Sequence, residues 1–150
     1  MKKSFLPFLF FVGLFCCITL LVSCSSDNDA QSRFTWSYKG VTYNASYTFA
    51  SSVEDLGPNI IGGLGNSALS PGSGLMFKVI PLTPGVYTVG IGTFYAQFID
   101  VDGNVWPVTG SLTITGTSNK RLHATFSLDA ASSGVSYPVT GNIENLPITP

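Results

Sequence analysis

From residue 34 to residue 49, apolar and polar side chains alternate, and only Lys39-Gly40 interrupts them. Successive side chains of a strand point to opposite faces of its sheet. Phe34-Thr35-Trp36-Ser37-Tyr38 and Val41-Thr42-Tyr43-Asn44-Ala45-Ser46-Tyr47-Thr48-Phe49 therefore read as two strands, each with one apolar and one polar face. A two-residue hairpin loop at Lys39-Gly40 sets Tyr38 opposite Val41, Trp36 opposite Tyr43 and Phe34 opposite Ala45. Thr35, Ser37, Thr42 and Asn44 fall on the wet side. One buried face and one solvated face is the signature of an antiparallel sheet.

The rest of the chain repeats this grammar with less regularity. Ser51-x-x-Glu54 has the spacing of a cap on one helical turn, ended by Gly57-Pro58. Ile60-Ile61 is a short apolar run that passes into glycines. Leu75 to Ile80 predicts a strand that Pro81 to Pro84 breaks and Gly85 to Val89 resumes. Phe94 to Val101 and Val105 to Val108 predict a hairpin about Asp102-Gly103. Leu112 to Thr115 and Leu122 to Leu128 predict another about Ser118-Asn119-Lys120, with Ile114 opposite Ala124 and Leu112 opposite Phe126. Val135 to Ile143 forms the last strand or two, with Pro138 at an edge or a bulge. About eight short strands with no amphipathic helix predict an all-β fold, an antiparallel β-sandwich or, alternatively, a small β-barrel. The sandwich is favoured because several strands have only one apolar face.

The N-terminus follows a different logic. Lys2 and Lys3 precede a run from Phe5 to Val22 that is apolar apart from Thr19. Ser23 and Cys24 follow, then Ser25-Ser26-Asp27-Asn28-Asp29. The run has the three-part form of a signal peptide. About 18 apolar residues are also enough for an uncleaved anchor, but no basic stop-transfer cluster follows. Leu21-Val22-Ser23-Cys24 resembles the lipobox of bacterial lipoproteins, which implies cleavage before Cys24 and lipidation of that cysteine, palmitate included. Each buried acyl methylene contributes about 0.8 kcal/mol, so two or three chains give lasting attachment. The Ser/Asp segment reads as a solvated tether. It also resembles the surface-export signal of Bacteroidota lipoproteins. The expected organisation is a signal peptide over 1–23, a lipidated cysteine and tether over 24–32, and one domain over 33–150. The resemblances imply an outer-membrane, lipid-anchored protein on the cell surface, with the periplasmic face as the alternative.

Without the leader, Arg33, Lys39, Lys78, Lys120 and Arg121 stand against eight acidic residues. No basic cluster remains, which argues against nucleic acid as a partner. Cys16 and Cys17 lie in the leader and Cys24 at its end. The domain therefore has no cysteine for a disulfide or a metal, and must be held by core burial. Spaced Gly and alternating segments, at Gly85-Val86-Tyr87-Thr88, Gly110 to Thr115, Ala124 to Leu128 and Gly141-Asn142-Ile143, resemble small β-rich lipoproteins of Bacteroidota. That likeness covers residues 33–148 loosely and implies no particular activity.

Several chemical motifs yield to plainer readings. Gly63-Leu64-Gly65-Asn66-Ser67-Ala68 matches a dinucleotide-binding pattern, but that mechanism needs a helix N-terminus next. Leu69-Ser70-Pro71-Gly72-Ser73-Gly74 cannot supply one, and no cofactor is expected. Asp100-Val101-Asp102-Gly103-Asn104 resembles the start of a calcium loop, but no carboxylate follows to complete it. Asp-Gly between apolar strands is explained as a turn. Asp100 and Asp102 as an acid/base pair would need desolvation that a solvated turn does not provide. His123 is the only histidine and lies on the polar parity of its strand. No serine has the setting of a nucleophile elbow, and no catalytic or metal-ligating residue is nominated.

Aromatic residues leave function open. Trp36, Tyr38, Tyr43 and Tyr47 fall on the core parity, whereas Tyr87, Tyr95, Trp106 and Tyr137 are less constrained. Aromatic rings beside a turn with Asp and Asn can stack on sugars while the polar groups bind hydroxyls. Trp106, Tyr95, Asp100 and Asp102 are the candidate ligand-binding residues, and Cys24 is the lipidation site. The leading expectation is a non-catalytic interaction module that contacts an envelope protein. The alternatives are a carbohydrate-binding module with a glycan partner and, third, an enzyme.

Overall fold

A computed structural model of the chain describes residues 31–53, 57–65 and 72–150. The signal peptide expected over 1–23, Cys24 and Glu54 lie outside the described residues. Among the described residues, eleven strands form two antiparallel sheets. The first has six strands: β1 (Arg33–Tyr38), β2 (Val41–Asn44), β6 (Gly85–Thr88), β9 (Val108–Gly116), β10 (Arg121–Ser132) and β11 (Val135–Pro147), in the order β2-β1-β11-β10-β9-β6. The second has five: β3 (Tyr47–Ala50), β4 (Ile60–Leu64), β5 (Ser73–Lys78), β7 (Tyr95–Ile99) and β8 (Val105–Trp106), in the order β3-β4-β5-β7-β8. The protein is an all-β sandwich, not a barrel.

The first hairpin has the register that its alternation predicts. Tyr38 pairs with Val41 and Trp36 with Tyr43, and the Ala45 N–H donates to the Phe34 carbonyl at 2.9 Å. Lys39 and Gly40 both have positive φ, 51° and 78°, the conformation of a type I′ turn. The second predicted register also holds, with Ile114 opposite Ala124 and Leu112 opposite Phe126. One expectation is revised. The run from Val41 to Phe49 is not one strand: it breaks at Ala45-Ser46 and continues as β3 in the other sheet. β11 lies between β1 and β10, but β1 ends at the Tyr38–Val139 pair, so Pro138 pairs with β10 alone and stands at a local edge, as expected.

The core lies between the sheets. Along β10, Leu122, Ala124, Phe126, Leu128 and Ala130 point inward and are buried. Opposite them the second sheet contributes Ile60, Leu75, Phe77 and Phe98. Phe34, Phe77 and Phe126 meet at the centre, with ring centroids 5.4–6.4 Å apart. Burying each such side chain contributes about 1.5–3 kcal/mol, which is how a domain without cysteines holds together. Two glycines make room for these rings. A Cβ on Gly62 would lie 2.4 Å from Phe34 Cγ, and one on Gly141 would lie 2.5 Å from Phe126 Cζ and 2.1 Å from the Thr35 carbonyl.

The outer face of the first sheet carries short hydroxyls in register. Thr42, Ser37, Thr140, Ser127, Ser111 and Thr88 form one row across all six strands. In the next row the Thr35 hydroxyl donates to Asn142 Oδ1, and Asn142 Nδ2 donates to Glu144 at 2.6 Å. Asn59 was not singled out by the sequence, yet it is buried. Its side chain pairs with the Val79 backbone as a strand would, accepting from the N–H at 2.9 Å and donating to the carbonyl at 2.8 Å.

Candidate functional site

Three turns define one end of β1: Lys39-Gly40, the β7–β8 turn at residues 100–104, and the β10–β11 turn at Ser133-Gly134. Tyr38 ends β1 facing inward and is 2% exposed. Trp106 is the inward residue of the short edge strand β8, paired with Phe98. Tyr137 comes from β11 just beyond the last β1 pair. The three rings close the end of the core. Their centroids are 5.8–6.3 Å apart, and each pair stands edge to face at 63–82°. The Lys39 side chain folds back from its turn over all three. Its Nζ lies 4.6 Å from the Tyr137 centroid, 4.9 Å from Tyr38 and 5.8 Å from Trp106, within cation–π range.

Behind Trp106 lies Asp100, and here the expectation of a solvated turn is corrected. Asp100 is 1% exposed, and its carboxylate accepts five hydrogen bonds. The backbone N–H groups of Asp102 and Asn104 donate to Oδ1 at 3.0 and 2.9 Å. The Asn104 amide reaches both oxygens, and the Trp106 indole N–H donates to Oδ2 at 2.9 Å. Burial pushes the carboxyl pKa up, but the bonds from Trp106, Asn104 and the Asp102 and Asn104 backbone outweigh it, and the net direction is down. These donors bring N–H groups, not oxygens, to the place where a calcium ion would need ligands. Asp100 is thus the organiser of the turn. Asp102 is exposed and contributes its backbone N–H.

Lys39 titrates above the ordinary lysine value. The nearby Tyr38 hydroxyl is the largest cause; slight desolvation opposes it, and Tyr38, Tyr137 and Asp100 add attraction. The Tyr38 oxygen is buried and no donor or acceptor meets it in full hydrogen-bond geometry, so its effect on Lys39 is one of proximity.

Tyr95 and Trp106 come together. They line an open cleft of about 360 Å³ with Val89, Gln97, Val105 and Pro107. Val89 follows edge strand β6 of one sheet, and Val105 and Trp106 form edge strand β8 of the other, so the cleft runs along an open side of the sandwich. Tyr95 is 50% exposed, and its hydroxyl donates to Gln97 Oε1 at 3.3 Å. Phe94 next to it is buried, as the alternating parity requires. Of the four candidates, Tyr95 and Trp106 face a common surface, Asp100 supports Trp106 from behind, and Asp102 stands apart. Lys39 and Tyr137 complete the aromatic end. Sequence reasoning missed their part because turn closure in space brings them there, not spacing along the chain.

His123 lies at a β-bulge, where β10 shifts register against both neighbours. Its Nδ1 accepts from the Asn145 N–H at 3.4 Å, a contact that serves the irregular backbone. Among the described residues, no three His, Cys, Asp or Glu side chains are grouped to hold a metal ion.

Comparison with protein-family models, with curated proteins and with solved structures finds no match to this chain.

Proposed function

We propose that the chain is a lipoprotein of the outer membrane, anchored by acyl chains on Cys24 and displayed at the cell surface, and that its sandwich is a non-catalytic binding module. The Tyr95–Trp106 cleft is the observation that carries the binding part of this reading. It offers exposed aromatic and aliphatic surface beside a polar amide, between the edge strands of two sheets. Aromatic surface of this kind is favoured at contact sites because it covers much area with few rotatable bonds.

A carbohydrate ligand is the second reading. The half-exposed Tyr95 ring and the adjoining Gln97 amide together supply a stacking face and hydroxyl partners. Capture from envelope extract and a glycan array, each run with the wild-type chain and with Tyr95→Ala, tests both. Capture of an envelope protein that Tyr95→Ala loses supports the leading reading. Tyr95-dependent glycan binding supports the second. Capture that Tyr95→Ala leaves intact sets the cleft aside as the contact surface.

A further inference from the structure

The aromatic end of the sandwich has the form of a cation host. Tyr38, Trp106 and Tyr137 stand mutually edge to face around one point, and the Lys39 ammonium occupies it at 4.6–5.8 Å from the three centroids. Asp100 adds to the host. Its carboxylate accepts the Trp106 indole N–H, which raises electron density on the ring that faces the cation.

The present guest is poorly suited to the place it fills. A lysine ammonium is compact and strongly hydrated, and Lys39 is an exposed turn residue with a flexible stem. It is held near the rings by its covalent linkage, which gives it a high effective concentration. A quaternary ammonium ion carries its charge on methyl groups, loses little hydration on entering, and is the guest that aromatic cages recognise.

We propose that Tyr38, Trp106 and Tyr137 form a binding site for a small quaternary ammonium group, and that Lys39 is its built-in competitor. The site shares only Trp106 with the Tyr95 cleft and stands or falls separately from it.

The test uses the full chain in a non-ionic detergent and tetramethylammonium chloride as probe, with sodium chloride matching the ionic strength. Lys39→Asn empties the cage while keeping the turn, because Asn-Gly suits the positive φ values there. Trp36 is buried and gives a constant background, so a change in tryptophan fluorescence reports Trp106. The expected result is saturable binding by Lys39→Asn at least tenfold tighter than by the wild type, lost when Tyr137→Leu is added. Tyr137→Leu keeps apolar bulk but removes the ring, and circular dichroism checks that each variant is folded. A folded Lys39→Asn variant with no saturable response, or with a response that Tyr137→Leu leaves unchanged, overturns the proposal.

Discussion

The indole N–H of Trp106 donates to Oδ2 of Asp100 at 2.9 Å. This bond joins a turn to the aromatic end of the core. It fixes the tilt of the Trp106 ring, and with it one wall of the cleft and one wall of the cage. Asp100→Ala removes a buried carboxylate and leaves two backbone N–H groups and the indole N–H without their acceptor. Unfolding in urea is expected to show a loss of about 3 kcal/mol, within the range for removing one partner of a buried charged hydrogen-bond cluster. A loss under about 0.5 kcal/mol, the size of an ordinary surface substitution, would mean that the turn does not depend on this carboxylate.

The same carboxylate sets an acid limit. Its pKa is lowered in the folded protein, so the unfolded chain takes up its proton first as the pH falls. The stability it contributes is complete above the unfolded aspartate value of about 3.9 and is lost as the pH drops through the lower folded value. Urea midpoints for the wild type and Asp100→Asn should converge as the pH is taken below about 4. A gap that widens on acidification would reverse the sign argued here.

Gly141 lies between Trp36 and Phe126 in the middle of β11. An added Cβ would meet the Thr35 carbonyl at 2.1 Å, Phe126 Cζ at 2.5 Å and Trp36 Cα at 2.9 Å. Two of these three atoms are backbone, so little can move aside. Gly141→Ala is expected to lose about 3 kcal/mol or to fail to fold. Gly116→Ala meets nothing within 4 Å and serves as the tolerant control. Thermal melts of the two variants would show equal midpoints if the crowding were absent.

Tyr95→Ala removes an exposed ring from an outer face. Its stability should stay within about 0.5 kcal/mol of the wild type, while partner or glycan capture falls. A melt that drops by several degrees would make Tyr95 a structural residue instead.

Much of this architecture was legible because period-two alternation fixes faces, and turn residues fix register. Lys39-Gly40 placed the first hairpin to the residue, and Ser118-Asn119-Lys120 placed Ile114 opposite Ala124 and Leu112 opposite Phe126, beyond the bulge at His123. Alternation does not say when a strand changes sheets. Val41 to Phe49 keeps its parity through Ala45-Ser46, so the corner left no mark in the pattern. Pro138 marked an edge rightly: proline excludes a paired N–H, and where β1 stops even a central strand has an unpaired side. The candidate site was half legible. Tyr95 and Trp106 were found from aromatic residues near a turn. Asp100 reads as solvated in the sequence because a turn does not reveal that its side chain folds under the loop to gather the N–H groups of Asp102, Asn104 and Trp106. Lys39 and Tyr137 meet only because two separate turns close at the same end of the sandwich.

The account's central proposal is a lipid anchor at Cys24, and one measurement addresses it directly: the intact mass of the protein recovered from the membrane fraction. The expected species begins at Cys24 and carries the added mass of its acyl chains, with residues 1–23 gone. A chain that keeps residues 1–23, or one with a free thiol at Cys24, would contradict it.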